Sequence, residues 1–191
     1  MKENYIPFHV KDFKKIQLSL QDLYKDVLSN TDLKSFPKDW SQENFLDLYE
    51  IVNNFFNANN AQIVSTRFFY TPPGKSLGVH ADGEWYEPMY WALNIPIFCA
   101  EDNHWQEWFD YHGDLNAIRS NSVHQHYILP NDPAKLELID RLTLTTPHFL
   151  RVGTFHRINN QSSQGRLIAS IRFETNAMRS LLSSVREQQI S

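Results

Sequence analysis

The chain is short of cysteine, of long apolar runs and of positive charge, and each shortage closes off a class of protein. Its one cysteine, Cys99, leaves no internal disulfide and no multi-cysteine zinc site, and suits a reducing, cytoplasmic setting. No apolar stretch approaches the roughly 20 residues of a membrane-spanning helix. The opening MKENYIPFHVKDFKK lacks an apolar h-region, so no secretory signal is expected there. Lys and Arg number 18 against 22 Asp and Glu, for a net charge of −4. That balance disfavours nucleic-acid binding through a broad basic face. Repeats and low-complexity linkers are also missing. What is present is ordinary for a folded soluble protein: 41% hydrophobic and 21% charged residues, with aromatics at 14% to fill a core. The 191 residues favour a single domain.

The texture changes once, near residue 60. Before it, apolar residues recur at helical spacing: Phe13, Ile16, Leu20, Leu23 and Val27 in one stripe, Phe45, Leu48, Tyr49, Val52 and Phe56 in another, the second starting at Asp39 or Ser41. After it come short segments rich in aromatic and β-branched residues. Strands are expected at 62–70, 89–98, 105–111, 142–146, 149–155 and 166–174, with Pro96 marking an edge or a bulge. The polar segment 113–133 reads as a long loop or lid. Residues 177–189 read as a helix. The expected fold is α+β and mainly β: residues 1–60 as helical support, 61–175 as a β-sandwich or jelly-roll core, and 176–191 as a C-terminal helix.

Among eight histidines, two sets have ligand spacing, and one of them falls on strand-like segments. His80 and Asp82 form His-x-Asp after the turn at 72–78. In an extended segment, residues i and i+2 point to one side, so an imidazole and a carboxylate can converge on a metal ion. His156 follows at the end of the 149–155 strand. A polar turn then leads to Arg166, which opens a nearly all-apolar strand. A basic residue in that position costs desolvation unless an anion pairs with it, either a core carboxylate or a ligand. His124-Gln125-His126 is a rival His-x-His pair, but it lies in the polar segment with no matching Glu and His in a later strand.

Together these residues resemble the iron(II)- and 2-oxoglutarate-dependent oxygenase superfamily. The resemblance rests on His80-x-Asp82, His156 and Arg166, and on the flanking TPPGKSLGVHADG, LNIPI and HRINN…RLIASIRF, spanning roughly 62–174. LNIPI (93–97) and the acidic, aromatic stretch after it resemble the aspartyl/asparaginyl hydroxylase-like branch, many of whose members lack the carboxylate that Asp82 supplies here. The resemblance implies a double-stranded β-helix, a jelly roll of cupin-like form with iron in its open mouth. It implies that His80, Asp82 and His156 bind Fe(II) and that Arg166 binds the far carboxylate of 2-oxoglutarate through its charged fork. Several subfamilies place a Ser two residues after the arginine, where this chain has Ile168. Tyr70 is then the candidate for a hydroxyl on the co-substrate. The implied activity is a dioxygenase reaction that hydroxylates a C–H bond of a small-molecule or peptide substrate, releasing succinate and CO₂.

Two alternatives remain open at this point: a jelly-roll binding protein without turnover, and a cupin-like metalloenzyme that uses no 2-oxoglutarate. The acidic, tryptophan-containing stretch 101–114 favours a cationic or polar substrate if it borders the mouth. Trp85, Tyr86, Tyr90 and Trp91 are candidates for pocket walls or for core.

Overall fold

The computed structural model describes residues 3–26, 39–82, 90–114, 118–121, 126–128, 132–174 and 177–188. Its strands form two sheets, and every ladder is antiparallel. The first sheet runs β1 (Tyr5–Pro7), β10 (His148–Arg151), β5 (Trp91–Phe98), β12 (Arg166–Phe173), β2 (Ile63–Thr71). The second runs β7 (Arg119–Asn121), β8 (His126–Ile128), β4 (His80–Asp82), β11 (His156–Asn160), β6 (His104–Tyr111), β9 (Leu136–Leu142), with β3 (Lys75–Ser76) beside β4 on the same edge of β11. The architecture is a double-stranded β-helix, as expected.

Helices cover the outer face of the first sheet: α1 (Phe13–Leu23), α2 (Gln42–Phe45), α3 (Asp47–Ala58) and α4 (Met178–Gln188). Phe13 and Leu20 of α1, Leu48, Val52 and Phe56 of α3, and Met178, Leu181, Leu182 and Val185 of α4 form one cluster. Leu93, Ile95, Ile97, Leu167, Ala169, Ile171 and Phe173 of the sheet complete it. The helical spacing read from the sequence is the spacing of this buried stripe, except that Leu23, at the end of α1, is exposed and Gln17 is buried. Ser41 caps α2 by accepting from the Asn44 N–H at 3.4 Å. Leu46, at φ 51°, breaks the second helix into α2 and α3. Val27 of the first stripe lies outside the described residues.

Alternation on β5 and β12 explains why both strands read as near-continuous apolar runs. Odd-numbered residues face the helices, and even-numbered ones face the second sheet, where Ala92 and Ile168 meet Trp108, Leu144, Leu150 and Val152. Pro96 sits in a central strand, not at an edge. Its register to β12 shifts between Leu167 and Ile168, so the expected bulge is there.

Three strand expectations need correction. The 142–146 strand is displaced to Leu136–Leu142, an edge strand paired only with β6. The 149–155 strand ends at Arg151, and His156 opens the next strand instead of closing that one. The 113–133 segment contains β7 and β8, so it is not wholly a loop. None of the helices among the described residues is long and apolar enough to cross a membrane.

Candidate metal centre and anion pocket

His80 and His156 are direct partners in the β4–β11 ladder, so their side chains leave the same face. Their ring centroids are 4.5 Å apart. Asp82 is two residues on and returns to that face, as the period of two requires. The ligand atoms of all three residues lie within 4.8 Å of one another, and Asp82 Oδ1 is 3.7 Å from His80 Nε2. The spacing read from the sequence thus converges in space.

Tautomers are also set. His80 Nδ1 lies 2.8 Å from the Gly78 carbonyl, and His156 Nδ1 lies 2.8 Å from the Thr154 carbonyl. A carbonyl only accepts, so each Nδ1 carries the hydrogen and each Nε2 is left with a lone pair for a metal. His148 makes the same local bond to Thr146 but packs edge-on against Tyr5. The bond is therefore a feature of strand geometry, and only the neighbouring carboxylate distinguishes a ligand pair.

Charge completes the preparation. Burial pushes His156 down to about 4, helped by His80 and opposed by Asp82, so the ring is neutral near pH 7. Burial alone would raise the Asp82 carboxyl, but Arg172, His156 and His80 outweigh it and hold it below the usual range. Arg172 donates to Asp82 Oδ2 at 2.6 Å and lies over the Tyr90 ring at 5.6 Å. Sequence reasoning assigned Arg172 no role. Its signal was a second basic residue of the same parity as Arg166 on an apolar strand.

That parity places Arg166 inside the barrel as well. Arg172 reaches Asp82 from the inner face of β12, and even-numbered Arg166 shares that face. It sits at the opposite end, where β11 turns into β12. The residue is 1% exposed, and its Nε and both terminal nitrogens have no hydrogen-bond partner among the described residues. Burial lowers its pKa to about 10, so it stays charged near neutrality. Thr71 is its register partner on β2, and the Thr71 hydroxyl is also buried without a partner. His104, on the inner face of β6 and 0% exposed, leaves its Nδ1 unpartnered. Neighbouring Asn160 pairs with His104 in the ladder and donates to the Thr71 carbonyl at 3.1 Å, which ties this end together. The buried guanidinium of Arg166 and the Thr71 hydroxyl are donors without acceptors among the described residues, a combination that fits an anion.

Tyr70 does not join them. It pairs with Leu167, on the helix-covered face, and its ring lies over Gly165, where an added Cβ would come within 2.5 Å of the phenol. One step along a strand reverses the face, and the residue on the arginine's face is Thr71.

The acidic stretch also differs from expectation. Glu101 pairs with Lys14 at 2.8 Å beside a groove of about 420 Å³ lined by Cys99 and Gln164, which the metal triad does not line. Glu107 is buried on the outer face of β6 between Arg141 and Arg157, at 2.8 and 2.7 Å. Neither gives the mouth an acidic wall. Trp108 does enter the barrel, in register with His156, and donates from Nε1 to the Arg151 carbonyl at 2.8 Å. Trp91 belongs to the helix-side core. LNIPI is likewise a core segment, with only Asn94 polar inside, where it accepts from Ser170 at 2.6 Å. Trp85, Tyr86 and His124 lie outside the described residues. His126 is on β8, with its backbone in register with Asp82.

No protein-family model matches the chain, and no curated protein sequence matches it. Solved structures do. A non-heme monooxygenase, ThoJ in its apo form, superposes with a TM-score of 0.52 at 14% identity, over 90% of this chain and 74% of that one. AviO1 from Streptomyces viridochromogenes Tue57 gives 0.53 at 11% identity, over 90% of each chain. EctD from S. alaskensis, in its apoform, gives 0.51 at 11%, over 90% and 73%. At such identities the likeness is one of fold.

Proposed function

We propose that this protein is an iron(II)- and 2-oxoglutarate-dependent oxygenase that hydroxylates a C–H bond of a small-molecule or peptide substrate. One observation carries the reading. A preset three-donor cluster and a buried arginine without a partner among the described residues occupy the two ends of one barrel interior, and a short turn leads from His156 on β11 of one sheet to Arg166 on β12 of the other. A metal site alone would fit a cupin-like enzyme with no dicarboxylate; the unpartnered Arg166 favours one that takes a five-carbon diacid.

The donor set fits iron. Two imidazoles and one carboxylate on one face leave other coordination positions open, the arrangement of non-heme Fe(II) oxygenases. The other end fits the co-substrate: Arg166 offers parallel N–H donors for a carboxylate, and Thr71 offers a hydroxyl. When bound, the iron with O₂ and 2-oxoglutarate supplies the oxidation, converting them and R–H into R–OH, succinate and CO₂. The chain's own residues do the rest. His80 and His156 present Nε2 because Gly78 and Thr154 hold their Nδ1 hydrogens. Arg172 keeps Asp82 ionised and directs Oδ1 towards the histidines by occupying Oδ2. Trp108, Ile168 and Leu150 pack the interior and exclude water.

The test is a pair of titrations on protein loaded with metal, then given 2-oxoglutarate. Arg166→Gln should bind iron normally and lose about 2–5 kcal/mol of co-substrate affinity, roughly 30- to several-thousand-fold. Asp82→Ala should lose iron first and the co-substrate as a consequence. Equal 2-oxoglutarate affinity in wild type and Arg166→Gln would remove the arginine from the site and the reading with it.

A further inference from the structure

We propose that His104 is a proton-linked binding residue of the anion pocket, taking up one proton when a dicarboxylate docks on Arg166 and becoming a second cationic donor beside it. The inference rests on the oxygenase reading and deepens it: it adds a residue of this chain to co-substrate recognition and makes that recognition depend on pH.

His104 Nε2 lies 2.8 Å from the Ala100 carbonyl, so Nε2 carries the hydrogen. In the neutral ring, Nδ1 is then a bare acceptor. It is buried, unpartnered, and on the inner face of the barrel end that holds Arg166 and Thr71. A docked carboxylate offers only acceptors. Two facing lone pairs repel, and a proton on Nδ1 converts the repulsion into a charge-assisted hydrogen bond.

The surrounding charges decide when that proton binds. Arg166 of β12 faces His104 and disfavours a second positive charge. Cys99, at the end of β5, is a neutral thiol, pushed up to about 11 by burial. Asp102 and Glu101, just before β6, favour the proton, but Glu101 is engaged by Lys14 of α1. Asn160 of β11 and Thr71 of β2 are uncharged. In the empty pocket, burial and Arg166 win, and the His104 ring is held below its ordinary pKa. A carboxylate on Arg166 cancels that repulsion and supplies an attraction of its own. The proton comes from solvent, and no bond other than N–H is made.

Calorimetric titration of zinc-loaded protein with 2-oxoglutarate, in buffers of unequal ionisation enthalpy near neutral pH, counts the protons taken up. Zinc keeps His80, Asp82 and His156 coordinated, so they do not titrate. Wild type should take up close to one proton per molecule bound, and its affinity should fall by up to about tenfold per pH unit between the free and bound pKa of His104. His104→Gln retains an N–H for Ala100 but no titrating nitrogen, so its uptake should vanish and its affinity should be flat with pH. Nitrogen-15 spectra of the histidine rings give the same answer without a variant: His104 Nδ1 should move from an acceptor to a protonated shift on adding 2-oxoglutarate. Binding with no proton uptake, uptake that persists in His104→Gln, or an unmoved Nδ1 would overturn the inference alone. No 2-oxoglutarate binding to wild type would overturn the oxygenase reading and this inference together.

Discussion

Arg166 and Arg172 share one face of one strand but live in opposite electrostatic conditions. Arg172 has a carboxylate at 2.6 Å, whereas Arg166 has no partner among the described residues. A buried cation without a counter-ion destabilises the ligand-free fold. Arg166→Met should therefore raise ligand-free stability by about 1–4 kcal/mol in denaturant unfolding, while abolishing 2-oxoglutarate binding. Arg172→Gln should do the reverse, costing about 1–3 kcal/mol by taking the guanidinium from the half-buried Asp82 carboxylate. A metal ion can then replace the missing cation, so nickel should raise the variant's melting temperature more than the wild type's. Most of the candidate cluster was legible at this scale. His80-x-Asp82, His156 and Arg166 carry their chemistry in residue type and spacing. Tyr70 misled because strand parity is set by register, and the difference between Tyr70 and Thr71 is one position. The Asp82–Arg172 pair joins residues far apart in sequence, and no local pattern announces it.

The turn from β11 to β12, which carries the chain from one sheet to the other, joins the two ends of the candidate site, and Asn160 holds it. Its amide donates to the carbonyls of Thr71, Pro72 and Gln164, and its oxygen accepts from the Ser162 hydroxyl at 2.7 Å. Asn160→Ala leaves these buried groups unpaired and should cost about 2–4 kcal/mol. The same change frees Thr71 from its position, so 2-oxoglutarate affinity should fall while metal affinity is kept; calorimetry with each ligand separates the two. Elements with a strong period were legible: the helical stripes, β2, β5, β6 and β12. The edge strand β9 was displaced because LELIDRL exposes most of its residues, so burial does not impose a clean alternation. β4, β7 and β8 are only three residues long, and tertiary pairing rather than local pattern makes them strands.

Across the whole molecule, stability and function occupy different layers. The central strands of the first sheet are buried on both sides, with every residue of β12 and nearly every residue of β5 inside. The second sheet carries most of the short strands and, on β4, two of the three candidate metal-ligating residues. Amide exchange should thus be slowest in β5 and β12 and markedly faster in β4, approaching the global unfolding free energy only in the first sheet. Metal should slow exchange in β4 and at the start of β11 and leave β5 and β12 unchanged. Exchange measured by mass spectrometry with and without nickel reads both. Uniform protection across the two sheets would contradict this division. The fold class was legible from strand length and aromatic content, because a two-layer β core needs both. The division of labour between the layers was not, since it follows from which face the helices cover.

The ladder pairing of His80 with His156 has a consequence for how the chain comes apart. With one cysteine the protein has no covalent cross-link of its own. A metal held by these histidines is a removable one, closing a long loop that contains β5 to β10. Like a disulfide, such a clamp restricts the unfolded chain, and its contribution grows slowly with the length enclosed. Unlike a disulfide, it opens with a chelator or with acid that protonates the rings. If the proposed metal site is filled in the working protein, the lifetime of the folded state is coupled to the supply of metal, and loss of the ion opens this clasp as it empties the site.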